Sequence, residues 1–175
     1  EQASTISLGG DPTYAADYLR YLAGELAINP WAAAVTVYAN GAIPSMEQLN
    51  PTRFSSDGAA LALQTAQVTA ERLMQYETTA PRARTQPPNG ETWGATVLLA
   101  SQETESAGVT KFTAVAGPRS ASALVSLDTR YEAEVELTFT GSGRVQCGDL
   151  NLMAVGLTAD EAAGCAALLA QADNT

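Results

Sequence analysis

The feature that most constrains this chain lies near its start, where a strand, a glycine turn, a helix and a second strand follow one another. Residues 3–9 (ASTISLG) alternate loosely as a short strand does, and Gly9-Gly10 turns it. Asp11-Pro12 then opens a helix. Aspartate accepts hydrogen bonds from free first-turn N–H groups, and proline lacks an N–H that would go unpaired there. Ala15, Leu19, Leu22 and Leu26 recur at helical spacing and make one apolar stripe. Asn29-Pro30 ends the helix, and residues 34–38 (AVTVY) read as a buried strand closed by Asn40-Gly41. A strand–helix–strand unit implies a parallel sheet, because parallel neighbours need a long crossover.

Beyond it, Pro44 to Arg53 reads as a connection with a short helical turn. A second helix is expected from Ser56 to about Tyr76, with Leu63, Ala66, Ala70 and Leu73 on one face. Thr78–Glu91 (TTAPRARTQPPNGE) reads as a flexible, exposed Pro-rich loop. Trp93 to Ala100 is a buried strand, and Phe112–Ala116 and Ala123–Leu127 are further strand candidates. From Glu132 to Phe139 polar and apolar residues alternate strictly, the pattern of a half-solvated antiparallel strand. Gly141-Ser142-Gly143 turns it into a partner at Arg144–Cys147, and Leu150–Val155 adds a third strand. A last helix starts at the Thr158/Glu161 capping box, with Ala162, Cys165, Leu169 and Ala172 as its buried stripe.

The chain has 175 residues, a length that suits one domain burying about two-thirds of its unfolded surface. Its formal net charge is −10, and the nine basic residues are dispersed. A phosphate backbone or an anionic membrane needs clustered Lys and Arg, so a nucleic-acid partner is not expected. No apolar run is long enough to span a bilayer, and no signal peptide is present. The chain opens at Glu1 and both ends read as boundaries inside a larger protein, a single α/β domain of which is spanned by 1–175.

The chemistry-bearing residues are few. With no histidine, Ser-His-Asp and Cys-His arrangements cannot be built. Cys147 and Cys165 are spaced wrongly for zinc and read as buried thiols. No metal or cofactor site is expected, and no catalytic residue. Glu132, Glu134 and Glu136 share one strand face and read as a solvated sheet surface. Trp31 is expected to pack beneath the helix–strand corner and Trp93 to cap the central strand, while Arg82 and Arg84 are exposed candidates for partner contact. Gly9-Gly10-Asp11 stands where a phosphate loop would, yet residues 9–15 (GGDPTYA) lack the lysine and Ser/Thr such a loop needs. Asp11 would put a carboxylate in the phosphate's place and cap the helix itself.

Leu19-Arg20, Leu22-Ala23, Glu25-Leu26-Ala27 and Pro30-Trp31 carry a resemblance at the N-terminal end. The tail LTFTGSGRVQCGDLNLMAVGLTADEAAGCAALLAQAD carries it at the other. Both are similar to the central α/β domain of large membrane-associated proteins of high-GC Gram-positive bacteria that combine LysM modules with a bacterial transcriptional activator domain. That resemblance implies a membrane-anchored parent with this domain on the cytoplasmic side. Residues 97–102 (VLLASQ), with Gln102, also resemble the late strand of FtsK-type P-loop translocases, whose Walker lysine is absent here. This second likeness implies a pseudo-ATPase.

The expected fold is therefore an α/β three-layer sandwich with a mainly parallel sheet and a C-terminal antiparallel hairpin plus helix. The expected function is a non-catalytic scaffold or interaction module, whose partner is a protein or another domain of the parent chain. The alternative is a small-molecule or nucleotide sensor without hydrolysis. Ligands in such folds sit at the carboxyl ends of parallel strands, here near Gly9, Gly10, Asn40 and Gln102.

Overall fold

A computed structural model describes residues 4–41, 50, 53–55, 58–90, 92–101, 107–127 and 130–172. Gln102 and most of the 44–53 connection lie outside these described residues. In chain order the elements are β1 (Thr5–Gly10), α1 (Pro12–Ile28), β2 (Val35–Asn40), β3 (Phe54–Ser55), α2 (Gly58–Gln75) and α3 (Ala80–Thr85). Then follow β4 (Ala95–Ala100), α4 (Ala107–Val115), β5 (Ser122–Ser126), β6 (Val135–Phe139), β7 (Arg144–Cys147), β8 (Leu150–Met153) and α5 (Ala159–Ala172).

All eight strands form one sheet, ordered β3-β2-β4-β5-β1-β6-β7-β8. Strands β3, β2, β4, β5, β1 and β6 run parallel, and β7 and β8 close the sheet antiparallel. The crossover from β1 to β2 travels toward the β3 edge, whereas β3 to β4 to β5 travels back. Right-handed crossovers then require helices on opposite faces. The packing follows: α1 and α5 share one core with Leu8, Val37, Leu99, Val125 and Phe139, while α2 and α4 cover Tyr38, Leu98 and Leu124 on the other face. Leu98 and Leu99 are adjacent and both fully buried, as a strand covered on its two faces demands.

Alanine makes this layering close. Ala23, Ala27, Ala62 and Ala66 are fully buried on the sheet-facing sides of α1 and α2, where a small side chain lets the helix axis approach the strands. The third layer is incomplete, however, because α2 and α4 pack over β2, β4 and β5. On that side Glu134, Glu136, Thr138, Arg144 and Gln146 are exposed.

The structure departs from the sequence reading at several elements. Phe112–Ala116 is no strand: Phe112 belongs to α4, where Val109 and Phe112, three residues apart, are buried together against the sheet. A short apolar run fits either periodicity, and here helical spacing wins. The 78–91 segment is not a bare loop. It contains α3 and a 3-10 turn at Pro88–Gly90, because Ala80 and Ala83 bury themselves with Leu73, Trp93 and Ala121. Strand β6 is antiparallel only to β7 and runs parallel to β1, so its alternation reports one uncovered face rather than pairing direction. Trp31 is 67% exposed instead of packed under the corner. Its 3-10 turn, Pro30–Ala32, inserts Ala32 into the core and points the indole outward. Trp93 is buried, edge-on to Tyr76 at 5.8 Å between ring centroids, with the Arg72 guanidinium 4.6 Å from its centroid.

The cysteines are also corrected. Cys147 is half-buried and Cys165 exposed, and both are free thiols. The buried line of α5 is formed by Ala162 and Ala166, so the helix is rotated away from the expected stripe. The side chains of Leu169 and Ala172 lie outside the described set. The capping box is in place: Thr158 N donates to Glu161 Oε2 at 2.9 Å, and Glu161 N donates to Thr158 Oγ1 at 3.3 Å.

Those bonds hold the Glu161 carboxyl below the ordinary glutamate range, the backbone N–H of Thr158 contributing most. A depressed folded-state pKa gives stability that is present above the unfolded value and lost as pH falls through the folded one. Helix α5 should therefore fray on acidification through and below the ordinary glutamate range, and Glu161→Gln should flatten that response in far-UV circular dichroism. Separately, Leu19→Ala should cost about 2–5 kcal/mol in urea unfolding, because Leu19 is 2% exposed inside the α1 core.

Candidate functional site

The carboxyl edge of the parallel strands is where an α/β sheet offers a ligand crevice. β1 ends at Gly10 and α1 begins at Pro12, so Asp11 alone joins them. Its Oδ1 accepts from Thr13 N at 3.0 Å and from Tyr14 N at 3.2 Å. Its own N–H donates to Phe139 O at 2.9 Å. A phosphate loop works by aiming several free backbone N–H groups into one cradle. A one-residue turn has no room for that cradle, and Asp11 uses two of the first-turn donors.

Gly10 has a specific structural reason. Its φ is +87°, and a Cβ there would lie 2.1 Å from Phe139 O. This glycine serves the close approach of the β1 end to β6. The β6–β7 turn then lies against the start of α1: a Cβ at Gly141 would meet Asp11 Oδ2 at 3.4 Å, and one at Gly143 would meet the Tyr14 ring at 3.4 Å. Tyr18, one turn further along α1, packs its ring 5.3 Å from that of Phe139. Burial pushes the Tyr18 phenol above its ordinary pKa, and Tyr21 and Cys147 act in the same direction. The N-terminal end of α1 is closed by its own cap and by the neighbouring hairpin.

Gly9 is paired in register with Thr138 of β6. Asn40 stands apart from Gly9 and Gly10, at the end of β2, in register with Ala100 of β4. Ser101 N donates to Asn40 O at 3.0 Å. The Asn40 Nδ2 and Ser101 Oγ atoms are both buried without a hydrogen-bond partner. Strand alternation turns Asn40 toward α2, with Tyr38 and Ala100, and Ser101 toward α1, with Leu99. The two orphaned groups therefore do not converge on one ligand.

A cavity at the amino edge of the sheet gathers residues that the sequence does not single out together. It measures about 140 Å³ and is lined mostly by Ala, Pro and Val, with Ser4, Arg84, Thr96 and Ser122 as its polar residues. Ser4, Thr96 and Ser122 are 5%, 3% and 7% exposed. Arg84 is exposed at the end of α3 and has no carboxylate partner among the described residues. The available sequence signal was a Ser or Thr at or next to the first residue of each of β1, β4 and β5. Among the described residues, no group of His, Cys, Asp and Glu could hold a metal ion. No described helix is long and apolar enough to cross a membrane.

These features define an α/β domain whose β1–α1 turn is closed by its own cap. The chain matches no family model, no curated protein and no solved structure.

Gly10→Ala should lower stability by at least about 2 kcal/mol, from the left-handed backbone penalty plus the clash with Phe139 O. Asp11→Ala should cost about 1 kcal/mol through the lost cap. Both are read from urea midpoints at unchanged slope. A neutral Gly10→Ala would show that the close approach to β6 is dispensable.

Proposed function

We propose that this chain is a non-catalytic module, a pseudo-ATPase-like α/β domain that serves assembly or protein contact inside a larger membrane-anchored protein. The observation that carries the reading is the closed turn between β1 and α1, where Asp11 stands in place of a phosphate and the Gly141–Gly143 segment lies against it. The resemblance of both ends of the chain to the LysM and transcriptional-activator proteins, and of residues 97–102 to FtsK-type translocases, supports the same reading. An ancestral nucleotide site would have lost its lysine, and an aspartate cap would have taken over the helix N-terminus.

A contact role is supported by the asymmetry of the sheet. Every residue of β8 is exposed, including Leu150 at 60% and Met153 at 71%, and β8 is an edge strand. Edges left long and apolar invite another chain, and natural proteins blunt them with Lys, Pro or a covering element. Leu150–Met153 carries neither Lys nor Pro. The partner under this reading is a protein or a neighbouring domain of the parent chain.

The test is phosphate release from ATP and GTP in the presence of magnesium, by the wild type and by Asp11→Gly. Neither should exceed buffer, since removing the cap restores no lysine. Turnover by either protein would overturn the proposal.

A further inference from the structure

We propose that the β8 edge is a homodimer interface, at which a second copy of this chain adds its own β8 antiparallel across a two-fold axis through Asn151. This rests on the contact reading above and deepens it by naming the partner as the chain itself.

The ladder fixes which backbone groups are free. Ala154 N donates to Gly143 O at 2.9 Å. In the antiparallel register of β7 and β8, that bond makes Val145–Leu152 and Cys147–Leu150 the pairs that exchange backbone hydrogen bonds. The N–H and C=O groups of Asn151 and Met153 therefore point the other way, out of the sheet. The turn agrees with this phase, since Gly148 has φ +55° at the first of the two residues joining the strands. Register also sorts the side chains. Phe139 stands opposite Val145 and Val145 opposite Leu152, so Leu150 and Leu152 lie on the α1 face, and Asn151 and Met153 on the other. All four are exposed.

A two-fold axis relating antiparallel neighbours stands perpendicular to the sheet, so each face continues into the same face of the second copy. Placed at Asn151, the axis sets Asn151 against Asn151, where the outward groups exchange backbone bonds. Leu150 then meets Leu152 twice, at the positions without backbone bonds where side chains approach most closely. Met153 meets Asp149, and Arg144 lies behind Met153 in register. The Arg144 guanidinium already stretches over β8, its Nη2 donating to Asn151 O at 3.2 Å. The axis brings it toward Asp149 of the second copy, an exposed carboxylate. Neither residue has an ion pair among the described residues. Moving the axis to Leu152 would set Leu150 against Ala154 and Asp149 against Val155, losing the second leucine contact and the acid–base one. Leu150–Met153 carries no charge, so the acidic chain does not set like charges against each other inside the paired segment.

The experiment is sedimentation velocity of the whole chain at constant ionic strength. A strand of four residues buries less than the roughly 1,200 Å² of a stable complex, so the dimer is weak. Average mass should rise from monomer toward dimer between about 10 μM and about 1 mM. Asn151→Asp and Asn151→Lys each set like charges against one another on the axis, and each should weaken association by about fivefold or more. An equimolar mixture of the two variants sets opposite charges there and should restore it. The position is exposed, so both variants should keep the wild-type far-UV circular dichroism. A wild type that stays monomeric throughout would overturn the proposal and leave β8 to a strand of another protein. So would variants that associate as the wild type does, or a mixture that stays monomeric. None of these results touches nucleotide turnover, so this inference can fail while the non-catalytic reading stands.

Discussion

The hydrogen bond from Asp11 N to Phe139 O, at 2.9 Å, sits where the two halves of the chain are joined. β1 pairs parallel with β5 on one side and with β6 on the other, so the N-terminal strand is the seam between the doubly wound part and the C-terminal hairpin. At its carboxyl end the approach is so close that only a glycine fits at position 10. One backbone contact therefore sets three things together. It fixes β6 beside β1, it directs the chain straight into α1 with a single intervening residue, and it brings the Gly141–Gly143 turn against the helix start. A looser seam would draw the Gly141–Gly143 turn away from the helix start. The closed turn is thus a property of the sheet as much as of Asp11.

How far the sequence revealed this depended on the range of the interactions involved. The β1–α1–β2 unit was legible because its signals are local: an Asp-Pro cap, a four–three–four apolar stripe and a Val-rich run. The Thr158/Glu161 capping box was legible for the same reason. What sequence could not supply was the partner of each strand. The alternation of Glu132 to Phe139 suggests antiparallel pairing, which β6 makes with β7, yet its other neighbour, β1, is parallel. Alternation records which faces are covered, and direction is set elsewhere. The same limit explains Trp31, whose exposure follows from Ala32 rather than the indole filling the core. Among the candidate ligand residues, Gly9 and Gly10 share one strand end, Asn40 stands apart, and Gln102 lies outside the described residues. Thr96 and Ser122 are brought side by side only by register across β4 and β5, which no spacing within the chain encodes.

Composition has a physical reading once the layers are known. Fully buried alanines in α1 and α2 bring both helices close to the sheet, so the apolar content works through contact density more than through large side chains. The larger apolar residues left exposed cluster at the end of the sheet, on β8, and on the outer faces of α1, α2 and α5. Such placement suits a domain that meets other protein surfaces, where isolated charges would have to be desolvated.

The distribution of the charges sharpens this point. The acidic excess is carried in part by Glu132, Glu134 and Glu136, all exposed just before and along β6. The exposed arginines of α3 and the Pro118 turn stand at the amino edge, beneath the helix-covered half. A chain with net charge −10 repels anions at long range, but beyond about 10 Å that field is largely screened at moderate salt. Charge on this domain is therefore read locally, by whichever group stands nearest a partner.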